Sequence, residues 1–192
     1  MMPERTYRWA EALDRGSTRL LTAGLLALGV GGAALAGNTN SDTGSIRADM
    51  RCLALNIYFE ARGEPDRGKI AVGHVVMNRV EADRFPDTIC AVVKQGGEDT
   101  RHMCQFSWWC DGRSDTPRDA DAWRHSKALA HQVFWGLAED PTLGALWYHA
   151  KYVSPPWRTR FIRVTEIGEH VFYLPVRKLA TTREPRPVVH VE

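Results

Sequence analysis

The sequence has no block of like charge. Its 25 basic and 23 acidic residues are spread along the whole length for a formal net charge of +2, so nothing in it makes an electrostatic footprint for nucleic acid. No CxxC pair is matched by a second ligand pair, and none of the seven histidines falls in an HExxH or HxH spacing, which argues against a zinc site. Internal repeats and low-complexity blocks are absent as well, which argues against a solenoid. What remains, at 192 residues with 44% hydrophobic and 25% charged, fits one globular domain with an appendage or two.

The N-terminus has the grammar of an export signal. Arg15 and Arg19 precede an apolar run from Leu20 to Ala36, and Ala34-Leu35-Ala36 before Gly37 is a small-x-small cleavage pattern. At about 17 residues the run also sits at the lower limit of a membrane-spanning helix. Residues 1–36 are therefore expected to be a signal peptide or a retained membrane anchor, and both place the rest of the chain outside the cytoplasm. Residues 37–45, polar and Gly-containing, read as a flexible linker, and 46–174 as the folded domain. Beyond Pro175, Pro, Arg and Thr dominate and a mobile tail is expected over 175–192. Four cysteines, Cys52, Cys90, Cys104 and Cys110, lie in the exported part, where an even number favours disulfides. Three pairings are possible in principle; the short separation of Cys104 and Cys110 suggests a loop staple, leaving Cys52 with Cys90.

Periodicity predicts a helix over 49–62 with Asp49 as N-cap and Leu53, Ile57 and Ala61 on one face, closed by Gly63 and Pro65. A more uniformly apolar helix follows at about 67–81, and a short third one opening at Pro86 points Ile89, Val92 and Val93 inward. A long loop over 96–116 leads to a helix from Thr116-Pro117 to about Glu139, with Trp123, Ala130, Val133, Phe134 and Leu137 inside. Runs at 145–149, 161–167 and 170–174 alternate with turn residues and predict a small antiparallel sheet.

One residue breaks the pattern of the first helix. Glu60 lies seven residues after Leu53 and three after Ile57, which puts a carboxylate on the apolar stripe. Burial disfavours the charged form and raises the pKa, which is how a carboxylic acid stays protonated near neutrality and serves as a general acid, as glycosidic cleavage needs. The alternative is a structural ion pair with Arg62 or Arg79. Glu64 also has two readings, a second active-site carboxylate or a charge favouring the start of the next helix.

The segments Asn56-Ile-Tyr-Phe-Glu-Ala-Arg-Gly-Glu-Pro65, Gly68-Lys-Ile-Ala-Val72 and Asn78-Arg79-Val80 resemble the signature of the spore-cortex-lytic cell-wall hydrolases. So do Phe85 to Gln95, Cys104-Gln-Phe-Ser-Trp108 and Ile167-Gly168-Glu-His170-Val-Phe172, so that the resemblance spans roughly 50–174. It implies an α+β, lysozyme-like domain acting on peptidoglycan glycan strands between N-acetylmuramic acid and N-acetylglucosamine, without metal or cofactor. It further implies Glu60 as acid and then base, with the muramic acid C6 hydroxyl as nucleophile in the manner of a lytic transglycosylase, which departs from the usual pair of carboxylates. The spore enzymes often bring a separate wall-binding repeat domain and nothing in these residues matches one, while the four cysteines with a signal-like N-terminus suit a periplasmic or inner-membrane-anchored protein.

Sugar chains ask for aromatic faces and polar side chains in a long cleft. Trp108, Trp109, Trp147, Tyr148, Tyr152 and Trp157 supply the first, and Gln105 and Ser107 the second. Tyr148, Gln105, Ser107 and Glu64 are the expected substrate-binding residues, because they sit in the segments that resemble the family. His149 and His170 could converge on a metal only if the strands brought them together. A thiol nucleophile at Cys104 and a non-catalytic wall-binding module are the competing functional readings.

Overall fold

The structure, a computed structural model, describes residues 39–96 and 104–176. The chain divides between Thr43 and Gly44, and the elements below belong to the second unit apart from the first residues of α1. Four helices, α1 (Thr39–Ala61), α2 (Asp66–Val80), α3 (Ile89–Val93) and α4 (Ala120–Phe134), are followed by a three-stranded sheet of β1 (Trp147–Ala150), β2 (Phe161–Ile167) and β3 (His170–Pro175). Both neighbouring pairs are antiparallel and the order is β1-β3-β2. This is the expected α+β architecture.

The helices are held by packing rather than by propensity. α2 carries two helix-weakening glycines, each costing about 1 kcal/mol relative to alanine. Val72, Val75 and Val76 are fully buried in it, and burial of each such side chain contributes about 1.5–3 kcal/mol, which outweighs that cost. One of the glycines has a packing reason. A Cβ on Gly73 would meet Ile57 Cδ1 of α1 at 3.1 Å and both Val133 methyls of α4 at 3.4 Å, so the bare backbone lets three helices meet. On α1 the buried face is Leu53, Ala54, Ile57, Tyr58 and Ala61. The core face of the sheet adds Phe172, which packs with Ala71, Val75 and Ala145 and against Tyr148.

Several boundaries differ from expectation, each for a local reason. α1 begins at Thr39, so the polar stretch from there to Ser45 is helical rather than a linker. Once the packed turns are formed, each added residue gains one backbone bond without a new nucleus. α3 starts at Ile89 and not at Pro86, because the Thr88 side chain accepts from Ala91 N and caps it there. α4 opens at Ala120 rather than Thr116-Pro117: Asp119 caps Asp121 N and Ala122 N, while the backbone of Arg118 and Asp119 is bonded to Tyr58. It ends at Phe134 because Gly136 turns the chain at φ +65°, which leaves Leu137 exposed instead of inside. Asp49 is an interior residue of α1 whose carboxylate accepts from Cys90 N at 2.9 Å. The disulfides are Cys52–Cys90, tying α1 to α3, and Cys104–Cys110, stapling the loop before α4. The expected signal or anchor and the tail beyond residue 176 lie outside the described residues; no described helix is long and apolar enough to cross a membrane.

Candidate active site

Three elements bring the site together. Glu60 is in the last turn of α1, half-buried, and the Tyr148 hydroxyl on β1 donates to its Oε2 at 3.0 Å. Tyr148 stands on the core face because β1 pairs it with Phe172 of β3, and alternation turns Trp147 and His149 the other way. The position of β1 is in turn set from the C-terminal end of α2. Asn78 Nδ2 donates to Asp140 Oδ2 at 3.0 Å and to Ala145 O at 3.1 Å, and Arg79 Nε donates to Leu146 O at 2.8 Å. These bonds fasten the segment that runs directly into β1.

Burial raises the pKa of Glu60; the Tyr148 hydrogen bond and the charge of Arg79 pull against it without reversing it. The Tyr148 hydroxyl is itself pushed well above the usual phenol value by burial and by the neighbouring carboxyl, so it remains a donor. Oε2 accepts that bond, so a proton on this carboxyl would sit on Oε1. Arg79 is 1% exposed, and burial lowers it to about 10, which leaves it cationic at neutral pH. Its guanidinium lies over the rings of Phe85 and Phe106, at 5.2 and 5.3 Å. Gln105, its amide turned so that the oxygen faces Arg79, accepts from both terminal nitrogens at 3.2 and 3.3 Å.

A cleft of about 310 Å³ opens beside Glu60, lined also by Phe59, Arg62, Ser114, Thr116 and Arg118. Glu60 is the one carboxyl among the described residues lining it. A second lobe of about 490 Å³ shares Phe59, Arg62, Ser114 and Arg118 and adds Trp108, whose indole stacks on Phe59 with centroids 4.8 Å apart. The two lobes share four lining residues and so adjoin one another.

The expected site residues fall into different places. Tyr148 is against Glu60, and Gln105 reaches the site only through Arg79. Ser107 is exposed in the 3₁₀ turn Ser107–Trp109 and lines neither lobe. Glu64, expected to bind substrate, is turned to the β2–β3 hairpin: Oε2 accepts from Glu169 N at 3.0 Å and Oε1 lies 3.7 Å from His170 Nδ1. This carboxylate accepts from a hairpin amide and lines neither lobe. Glu60 forms no ion pair with Arg62, which donates instead to the Tyr58 hydroxyl at 3.1 Å. Trp157 and Trp147 pack on Phe161, and Tyr152 is 87% exposed away from both lobes. His149 and His170 sit at adjacent register positions of β1 and β3 and therefore on opposite faces of the sheet. Arg118 and the Tyr58 hydroxyl escaped the sequence reading, and Arg62 entered it only as a possible ion-pair partner of Glu60; the hint was the spacing of four between Tyr58 and Arg62 on one helix face.

A sequence model of the cell wall hydrolase family matches residues 63–173. The chain is 29% identical over 139 residues to a spore cortex-lytic enzyme of Bacillus subtilis (strain 168), an alignment covering 69% of this chain and 40% of that protein. It is 29% identical over 136 residues to the spore cortex-lytic enzyme of Bacillus cereus (strain ATCC 14579), covering 70% and 47%. The chain thus spans less than half the length of these curated relatives. Among solved structures it is similar to the catalytic domain of the germination-specific lytic transglycosylase SleB from Bacillus anthracis, with a TM-score of 0.54 and 28% identity over 66% of this chain and 93% of that one. The catalytic domain of the Bacillus cereus SleB protein matches with a TM-score of 0.51 and 26% identity, over 67% and 91%.

Proposed function

The chain belongs to the cell wall hydrolase family, and from that premise we propose that it cleaves peptidoglycan glycan strands as a lytic transglycosylase with Glu60 as its single catalytic acid and base. The observation that carries this reading is the carboxyl of Glu60, its pKa raised by burial and one oxygen bonded by Tyr148, in a lobe with no second carboxyl among its described lining residues. Glu60 Oε1–H protonates the oxygen between N-acetylmuramic acid and N-acetylglucosamine as that bond breaks and the muramyl C1 becomes oxocarbenium-like. The resulting carboxylate then takes the proton of the muramyl C6 hydroxyl while that oxygen bonds to C1. The product is a 1,6-anhydro sugar and Glu60 is returned to its acid form. A water nucleophile would call for a second carboxylate at about 5–9.5 Å; Glu64 is bonded to the hairpin, and Asp111 and Asp115 line the second lobe and not that of Glu60.

The setting we propose is the periplasm, with residues 1–36 removed as a signal or kept as an anchor in the inner membrane. The test is mass spectrometry of fragments released from purified sacculi by the full-length protein and by Glu60→Gln. Anhydro-muramyl ends are expected from the first and none from the second. Reducing muramic acid ends would mean hydrolysis by water, and cleaved stem peptides would overturn the glycosidic reading altogether.

A further inference from the structure

The lobe beside Glu60 is cationic. Apart from Glu60, the charged side chains lining it are Arg62 and Arg118, and neither has a carboxylate within salt-bridge distance among the described residues. Their segments are tied to one point. The Tyr58 hydroxyl, on a residue 2% exposed, accepts from Arg62 Nη1 at 3.1 Å, from Arg118 N at 3.2 Å and from Asp119 N at 3.1 Å. Arg62 also lies over the Tyr58 ring at 5.2 Å. Both arginines also line the second lobe, where Asp111, Arg113 and Asp115 join them. The two guanidiniums share that lobe with no carboxyl but that of Glu60 among the described lining residues, which leaves them available to an anion of the substrate. A guanidinium is also the side chain best shaped to take a carboxylate through two parallel bonds.

We propose that Arg62 and Arg118 bind a carboxylate carried by the muramic acid residue at the cleavage point, so that the enzyme selects anionic strands over neutral glycan. This rests on the glycan-cleaving reading above and names the substrate class within it. Two sources share that chemistry: the lactyl carboxylate of an unsubstituted muramic acid, and the carboxylates of a stem peptide attached there. Either arrives with the sugar whose C1 must face Glu60. Tyr58 then acts as a positioning residue that holds both arginine-bearing segments before substrate binds.

The test separates binding from chemistry by using full-length Glu60→Gln. Its affinity is measured by calorimetry for strands bearing stem peptides, for strands stripped of peptide, and for stripped strands whose lactyl carboxylates have been converted to neutral methyl amides. The neutral strands should bind about tenfold more weakly or worse, and raising the salt concentration should weaken only the anionic ones. Tight binding of both anionic preparations assigns the lactyl group, and tight binding of the peptide-bearing one alone assigns the stem. Adding Arg118→Gln or Arg62→Gln should weaken the binding of anionic strands much more than that of neutral ones, and a thermal melt near that of the parent shows that the variants are folded. Arg118→Lys should retain part of the preference, because it keeps the charge and loses the fork. Equal affinity for all three strands, binding to none, or equal losses on neutral strands in the arginine variants would overturn the proposal. Discrimination in binding without product release by the unsubstituted protein would instead sink the glycosidase reading and leave the anion site standing.

Discussion

Replacing Tyr148 with Phe removes a single hydroxyl, and the structure says what that hydroxyl does. It donates at 3.0 Å to Glu60 Oε2 from a position packed against Phe172 and His170, so the ring can stay in place when the oxygen is removed. A hydrogen bond to a charged acceptor is worth about 1.5–3 kcal/mol and one to a neutral acceptor about 1 kcal/mol. Loss of the donor therefore penalises the carboxylate over the acid by about 1–2 kcal/mol. Burial already holds the pKa of Glu60 above its ordinary value, and Tyr148 is the largest influence opposing that, so the pKa rises further in the variant. Two consequences follow for release of muropeptides from sacculi, followed as a rate across the acid-to-alkaline range. The plateau rate should fall by roughly 5- to 30-fold, because the carboxylate formed as the proton leaves is less stabilised. The limb on which activity declines with rising pH should move to higher pH. An alkaline limb that stays in place, or moves to lower pH, would refute the assignment of Tyr148 as the donor that tunes Glu60.

The disulfides should differ in weight. Removing Cys52–Cys90 as a double alanine variant releases a loop with a sequence separation of 38 and should cost about 4 kcal/mol, against about 2 kcal/mol for Cys104–Cys110 with a separation of 6, and thermal melting should rank them in that order. Gly168 adopts φ +57°, and a Cβ there would overlap Glu64 Oε2. Gly168→Ala should therefore destabilise the β2–β3 hairpin, and adding Glu64→Ala should recover the part due to overlap but not the part due to backbone strain. Chemical denaturation of the two single variants and the double one gives that coupling directly; strict additivity would show that Glu64 does not occupy the hairpin turn.

The helices and strands were legible because each buries one face, and burial of a face writes a period into the sequence. Leu53, Ile57 and Ala61 mark α1, and the runs at 161–167 and 170–174 mark β2 and β3 almost to the residue. The same logic exposed Glu60, since a carboxylate on an apolar stripe conflicts with its neighbours and the conflict is local. Helix ends were less legible. The start of α4 depends on Tyr58, some 60 residues earlier in the chain, taking the backbone amides of Arg118 and Asp119, and no periodicity carries that information. Glu64 shows the same limit at a single residue: beside Gly63 and Pro65 it reads equally well as a second acid or a helix-start charge, and nothing local announces the bond it accepts from the amide of Glu169 across the fold. By itself, then, the sequence determined the α+β pattern and the carboxylic acid at its centre, because both rest on local contrasts of polarity. Which groups face that acid was decided only by tertiary structure. Tyr148, Arg79 and Arg118 come from three separate segments, and their positions follow from how helices and sheet pack, a long-range outcome that spacing along the chain does not encode.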